Sequence, residues 1–108
     1  MRTLKFIVDG QILTKDPGCD FENLVPGSEG YLQAEFTFSQ EWKDCTKVVK
    51  FHYRDNEYPP QSLDDGKSCM IPNEATAGRA FYITVLGKRG SFKITTNDVG
   101  VVQKGGEL

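Results

Sequence analysis

Apolar and polar residues alternate along most of the chain. The clearest run extends from Leu32 to Phe38, where every second position is apolar. No window repeats apolar residues at the i, i+3, i+4, i+7 spacing of an amphipathic helix. Because a period of two places neighbouring side chains on opposite faces of a strand, one face of each run can be buried. The pattern therefore predicts an all-β fold.

Turn-forming residues separate the alternating runs. Asp9-Gly10 predicts a type I′ hairpin, because Asp tolerates and Gly readily adopts the positive φ that both central positions require. The connection 87–90 predicts a second hairpin, and Pro72–Ala75 predicts one short helical turn. Residues 15–30 lack alternation and are expected to form a surface connection. About seven to nine strands with at most one helical turn are expected, which favours an antiparallel β-sandwich, immunoglobulin-like or related.

Size and composition indicate one folded domain. The chain has 108 residues, of which 38% are hydrophobic and 26% charged, so a core is expected and disorder is not. We predict a single domain over residues 1–104 and a flexible C-terminal tail over 105–108. The formal net charge of −2 provides no electrostatic footprint for nucleic acid, and no run reaches the length of a membrane span. Neither nucleic-acid binding nor membrane insertion is expected.

The sequence contains no pattern typical of catalysis or metal binding. The single histidine, His52, lies on a predicted outer face, where a solvated side chain is far commoner than a catalytic base. Cys19, Cys45 and Cys69 are widely spaced, unlike a zinc or redox motif, so reduced thiols are expected. The acidic residues do not form a calcium-binding loop. We therefore expect no enzymatic activity, no metal and no cofactor.

Aromatic residues divide into a predicted core and a candidate interface. The predicted core contains Phe36, Phe38, Trp42, Phe51, Phe81 and Ile83. The candidate interface residues are Tyr31, Tyr53, Tyr58, Tyr82 and Trp42, since tyrosine and tryptophan are enriched at interfaces. Trp42 belongs to both sets. Burial under Phe36 and Phe38 would make it structural, whereas exposure beside a tyrosine would favour sugar binding.

Several motifs, taken in order, carry a family resemblance. Residues Phe36–Trp42, followed by Lys47–Phe51, resemble a stretch of small phage and prophage proteins from Gram-positive bacteria. Residues Cys69–Glu74 are similar to the C-x-I-P-x-E element of that group. Residues Phe81–Gly87, followed by Ile94–Asn97, resemble its closing hairpin.

The resemblance extends over most of the chain, from Ala34 to Gly106, and implies a role in a phage particle. Members of the group resemble tail or baseplate components, similar to the N-terminal domain of the baseplate upper protein, in which a β-sandwich anchors to the tail and later segments carry receptor-binding parts. This implies a non-enzymatic structural protein located in the virion and, before assembly, in the host cytoplasm. Its expected partners are other tail or baseplate proteins, or further copies of itself in a homo-oligomer. The alternative is a carbohydrate-binding module that recognises host cell-surface sugars.

Overall fold

A computed structural model describes residues 1–108 as ten strands in two sheets, with two very short helices. The strands are β1 (Arg2–Asp9), β2 (Ile12–Lys15), β3 (Leu32–Phe38), β4 (Thr46–Tyr53), β5 (Asn56–Glu57), β6 (Gln61–Ser62), β7 (Ser68–Met70), β8 (Ala80–Arg89), β9 (Phe92–Thr95) and β10 (Val99–Val102). The helices are a 3-10 turn at Gln40–Trp42 and α1 at Asn73–Thr76. Neither helix has the length and apolarity needed to cross a membrane.

The predicted all-β class is confirmed, and the predicted number of elements is too low. Two strands, β5 and β6, have only two residues each, too few for an alternating pattern to be visible in the sequence. The 3-10 turn adds a second helical turn where at most one was predicted. Both differences come from elements too short to show the periodic pattern from which strands and helices are predicted.

The smaller sheet has the strand order β2-β1-β3-β7 and contains one parallel pair. β1 and β3 run parallel, with Arg2 opposite Leu32 and Val8 opposite Phe38, so the purely antiparallel prediction is wrong. Residues 16–31 carry the chain from the end of β2, past the start of β1, to the start of β3. The surface connection predicted from the sequence therefore determines the direction of β3.

β8 is the central strand of the larger sheet. One of its edges pairs with β4 over seven residue pairs, from Thr46 opposite Lys88 to His52 opposite Tyr82. Its other edge is shared by β10, near the start of β8, and β9, near its end. The short strands β5 and β6 pair with the free edge of β4.

Buried side chains from both sheets join in one cluster of 20 residues. Five of the six predicted core residues are buried in it: Phe36, Trp42, Phe51, Phe81 and Ile83. The sixth, Phe38, is half-buried and packs against the cluster. Alternation therefore identified the core correctly.

Trp42 connects the two sheets. Its side chain is fully buried, and its Nε1 donates a hydrogen bond of 2.8 Å to the carbonyl oxygen of Gly10 in the β1–β2 turn. Its ring lies against Gly87 of β8, where an added Cβ would be 2.7 Å from Cζ3 of the indole. Only glycine leaves room for this contact, because real Cβ atoms do not approach other atoms so closely.

Both hairpin turns differ from the prediction in detail. Of the turn residues Gly10 and Gln11, only Gly10 has positive φ, at 60°. A type I′ turn needs positive φ at both positions, so this prediction is wrong, and the signs match a type II′ turn with glycine first. The second turn consists of Gly90 and Ser91, so β8 continues through Gly87, which is a packing glycine within the strand.

Asn97 closes the open edge of β2. Its Oδ1 accepts a 2.8 Å hydrogen bond from the backbone N–H of Leu13, and its Nδ2 donates a 3.1 Å bond to the Leu13 carbonyl. One side-chain amide thus satisfies both backbone groups as a neighbouring strand would, which protects an edge from pairing with other chains.

We predict that Gly87→Ala destabilises the fold by about 1–3 kcal/mol, because the new methyl group displaces the Trp42 ring. Denaturant unfolding monitored by tryptophan fluorescence measures the change. Gly78→Ala is the matched control, since its Cβ would find no atom closer than 3.9 Å. Equal stability of the two variants would contradict the proposed packing constraint.

Asn97→Ala is expected to lower the free energy of unfolding by about 2 kcal/mol, because it removes both hydrogen bonds to Leu13 and each contributes about 1 kcal/mol net. Asn97→Asp should cost at least as much, because it places a carboxylate oxygen against the Leu13 carbonyl. Thermal unfolding by circular dichroism provides the measurement. Asn56→Ala, which removes an exposed side chain without hydrogen bonds, should leave the unfolding temperature unchanged. An unchanged unfolding temperature for both Asn97 variants would show that this side-chain amide does not stabilise the edge of β2.

Candidate protein interface

The outer face of the larger sheet carries four rows of side chains. Residues directly opposite each other in an antiparallel pair lie on the same face, and the residues between them, such as Phe51 and Val85, are buried in the core. From the start of β4 to its end, the rows are Thr46–Lys88–Lys93, Val48–Leu86–Thr95, Lys50–Thr84 and His52–Tyr82. The face therefore changes from cationic, through apolar and polar, to aromatic.

Three nearly parallel rings form the aromatic row at the end of β4. The ring centroids of His52 and Tyr82 are 5.8 Å apart with planes at 20°, and those of Tyr82 and Tyr53 are 6.4 Å apart at 15°. The Arg54 guanidinium lies 5.1 Å from the Tyr53 ring centroid. Each ring is half-buried, so the row is held in place while part of its surface remains open to a partner.

Polar contacts orient the His52 ring. Its Nε2 lies 3.3 Å from Thr84 Oγ1 and 3.6 Å from Asp98 Oδ1, and the Thr84 hydroxyl donates to the Asp98 carboxylate. In a catalytic triad, the hydroxyl and the carboxylate contact different nitrogens of the histidine. Here both contacts involve the same nitrogen, so the geometry is that of a positioning network for the ring.

The last residues of the chain border the aromatic row. The Gly106 backbone packs directly on the carbonyl of Arg79, and the side chain of Leu108 covers Gly100, which pairs with Tyr82. Tyr53 Oη donates a 3.4 Å hydrogen bond to the Glu107 carbonyl. Gly106 therefore allows the C-terminal segment to pack closely against the rest of the domain. The flexibility of residues 105–108 stays a prediction.

The structure brings together two of the five candidate interface residues. Tyr53 and Tyr82 lie in the aromatic row. Tyr58 is half-buried and packs against the core cluster. Tyr31 directly precedes β3 of the smaller sheet, and its side chain is 47% exposed. The interface assignment of Trp42 is wrong, because its side chain is fully buried.

Burial of Trp42 also bears on the carbohydrate alternative. The indole and the Phe38 ring have centroids 5.1 Å apart, within the aromatic part of the core. A sugar-binding site needs an aromatic ring that a ligand can reach. The alternative loses the residue on which it mainly depended.

Sequence reasoning missed a basic groove at the cationic end of the outer face. The groove has a volume of about 720 Å³ and includes Val48 and Leu86 from the apolar row. Lys88, Arg89 and Lys93 also line it. Lys88 of β8 and Lys93 of β9 lie side by side because of the register between these strands. The sequence analysis placed the turn at 87–90, which left Lys88 in the turn and concealed its pairing with Lys93.

The three cysteines are free, and their environments differ. Cys45 and Cys69 are buried, whereas Cys19 is half-buried and its sulfur accepts a 3.3 Å hydrogen bond from the Lys5 backbone N–H. Burial, with a smaller contribution from the Asp65 charge, raises the pKa of the Cys69 thiol to about 12. Cys69 is therefore a neutral and poorly nucleophilic thiol at physiological pH. No group of three or more His, Cys, Asp or Glu side chains is arranged to hold a metal ion.

Comparison with known proteins provides no relative. No family model matches the chain, and no match was found among curated proteins or solved structures. The resemblance to phage proteins therefore stays an expectation.

Of the three thiols, we expect Cys19 alone to react rapidly with a disulfide reagent in the native protein at pH 8. Absorbance on addition of the reagent should show one fast thiol, and three thiols after denaturation. Cys19→Ala should abolish the fast phase. Its loss in Cys69→Ala instead would contradict both the burial and the raised pKa of Cys69.

Proposed function

We propose that the chain is a non-enzymatic structural protein of a phage tail or baseplate. It acts in assembly, or anchors receptor-binding parts, by docking onto neighbouring virion proteins through the outer face of the larger sheet. The observation that carries the proposal is the aromatic row, which is ordered by Thr84 and Asp98 without being buried. Motif resemblance supports the phage setting, and the row supports a docking role, since aromatic residues are enriched where proteins bind each other.

The proposal includes a β-sandwich arrangement of the two sheets. Leu4 and Phe36 from the smaller sheet share one buried cluster with Phe51 and Ile83 from the larger sheet, as expected for two sheets packed face to face. In such an arrangement each sheet keeps one outer face for solvent or a partner. An immunoglobulin-like strand order stays a prediction.

The two outer faces are not equally suited to docking. On the smaller sheet, Lys5 and Glu35 are opposite each other and form an ion pair of 4.0 Å, so their charges compensate within the chain. On the larger sheet, the half-exposed rings of Tyr82 and Tyr53 provide rigid contact area at a low entropic cost. The larger sheet is therefore the better candidate for the contact.

Purified phage particles from the host that encodes this chain are expected to contain the protein in a fixed ratio to the capsid protein. Mass spectrometry of gradient-purified particles measures that ratio. Tyr82→Ala should reduce incorporation by about tenfold or more, because central aromatic residues dominate binding energy. Thermal unfolding of the purified variant shows whether it remains folded.

Thr3→Ala, on the outer face of the smaller sheet, is the matched control and should be incorporated as the wild type is. A protein that is abundant in lysed cells and absent from purified particles would overturn the proposal. Equal incorporation of folded Tyr82→Ala would overturn the assignment of the face.

A further inference from the structure

The lysines of the basic groove form no ion pair within their own chain. Lys88 and Lys93 lie directly opposite each other and are both exposed, an arrangement that destabilises a strand pair. The two ion pairs of the structure are elsewhere. Asp44 is the single acidic residue that lines the groove. Two exposed lysines that are side by side and form no ion pair are suited to binding an anionic ligand.

A third cation, Arg89, borders the groove and is held in place. Arg89 donates a hydrogen bond through Nη1 to the carbonyl oxygen of Lys43, and its guanidinium lies 4.7 Å from the Phe92 ring centroid. These contacts orient the guanidinium without neutralising it. The groove therefore presents the positive charges of Lys88 and Lys93 beside the apolar side chains of Val48 and Leu86. Arg89 pairs with Phe92 and lies on the other face of the strand pair.

Positive charge extends beyond the groove at this end of the molecule. A neighbouring cavity of about 330 Å³ is lined by Lys43, Lys47 and Lys67 and by no acidic residue. Lys47 Nζ lies over the Phe38 ring, 5.1 Å from its centroid, and makes no ion pair. The lining of this second cavity is therefore also cationic, while Asp44 and Asp65 lie at the same end of the molecule.

The same chain carries a segment of complementary chemistry. Residues 16–30 include four acidic side chains and no lysine or arginine, and Asp20, Glu22 and Glu29 are exposed. Val25, also in this segment, is 59% exposed. The segment therefore offers both the carboxylates and the apolar side chain that the groove can accommodate.

The acidic segment cannot reach the groove of its own chain. The Arg2 guanidinium, at the start of β1, donates to the carbonyl oxygens of Asp20 and Glu22. At the other end of β1, Gly10 accepts the Trp42 hydrogen bond, and Trp42 contacts Gly87 beside the groove. The eight residues of β1 separate the two ends by about 25 Å.

We propose that the basic groove binds residues 16–30 of a second copy of this chain. The Asp20 and Glu22 carboxylates pair with Lys88 and Lys93, and Val25 rests on the apolar row. Arg2, Lys15 and Lys104 lie near the segment and offset three of its four negative charges. A second copy of the chain is then the partner in the proposed assembly role, and this inference rests on that proposed function.

Contact between unlike ends is heterologous, because each copy uses its groove for one neighbour and its acidic segment for another. Such contacts close into a ring or extend into a row, depending on the rotation between copies. The charges also make the association sensitive to ionic strength.

Light scattering across a concentration series tests the proposal with two charge-reversed variants. One variant carries Lys88→Glu and Lys93→Glu, and the other carries Asp20→Lys and Glu22→Lys. Wild-type protein should associate at low salt and dissociate at high salt. Each variant alone should associate at least about tenfold more weakly. An equimolar mixture of the two should associate again, since each reversed end then meets its complement.

A charge exchange elsewhere provides the control. The double variant Lys5→Glu, Glu35→Lys reverses an ion pair on the smaller sheet and should associate as the wild type does. A monomeric wild type at all concentrations, or a mixture that does not associate, overturns the inference. In that case, binding of an acidic peptide from another protein would assign the groove to a different partner. Monomeric protein found in phage particles refutes self-association alone, whereas an associating protein absent from particles refutes the phage role alone.

Discussion

The Trp42 indole contacts both sheets at once. Its Nε1–H is satisfied by the Gly10 carbonyl of the β1–β2 turn, and its ring occupies the space that a side chain on Gly87 would fill. A buried indole needs a hydrogen-bond acceptor and a complementary surface, and the two are supplied by different sheets. The 3-10 turn at Gln40–Trp42 places the ring there, directly after β3.

This contact also determines what the outer face presents. Because side chains alternate along a strand, holding Gly87 against the core directs Leu86 and Lys88 outward. A slip of one residue in β8 would bury Lys88 and expose the core residue Val85. The basic groove and the aromatic row are therefore consequences of the same register, and a structural residue far from solvent controls the surface proposed for binding.

Sequence patterns predicted what depends on local periodicity. Phe51 and Ile83 were identified as core residues because alternation is a property of a single strand. The parallel pairing of β1 with β3 depends on the path of residues 16–31 and has no local signal. Gly87 was interpreted as a turn residue, because a packing glycine and a turn glycine look alike in a sequence. Of the aromatic row, Tyr53 and Tyr82 were among the predicted interface residues and His52 was not. The Lys88–Lys93 pair has no signal in the sequence, because it depends on the register of β8 and β9.

We propose the outer face of the larger sheet as a contact surface, with charge complementarity between its basic end and residues 16–30 of a second copy. Hydrogen–deuterium exchange at low and high protein concentration tests it most directly. We expect slower exchange at high concentration in peptides covering 84–95 and 16–30, with no change in peptides covering β3. Exchange that is independent of concentration in both regions, or protection confined to the smaller sheet, would contradict it.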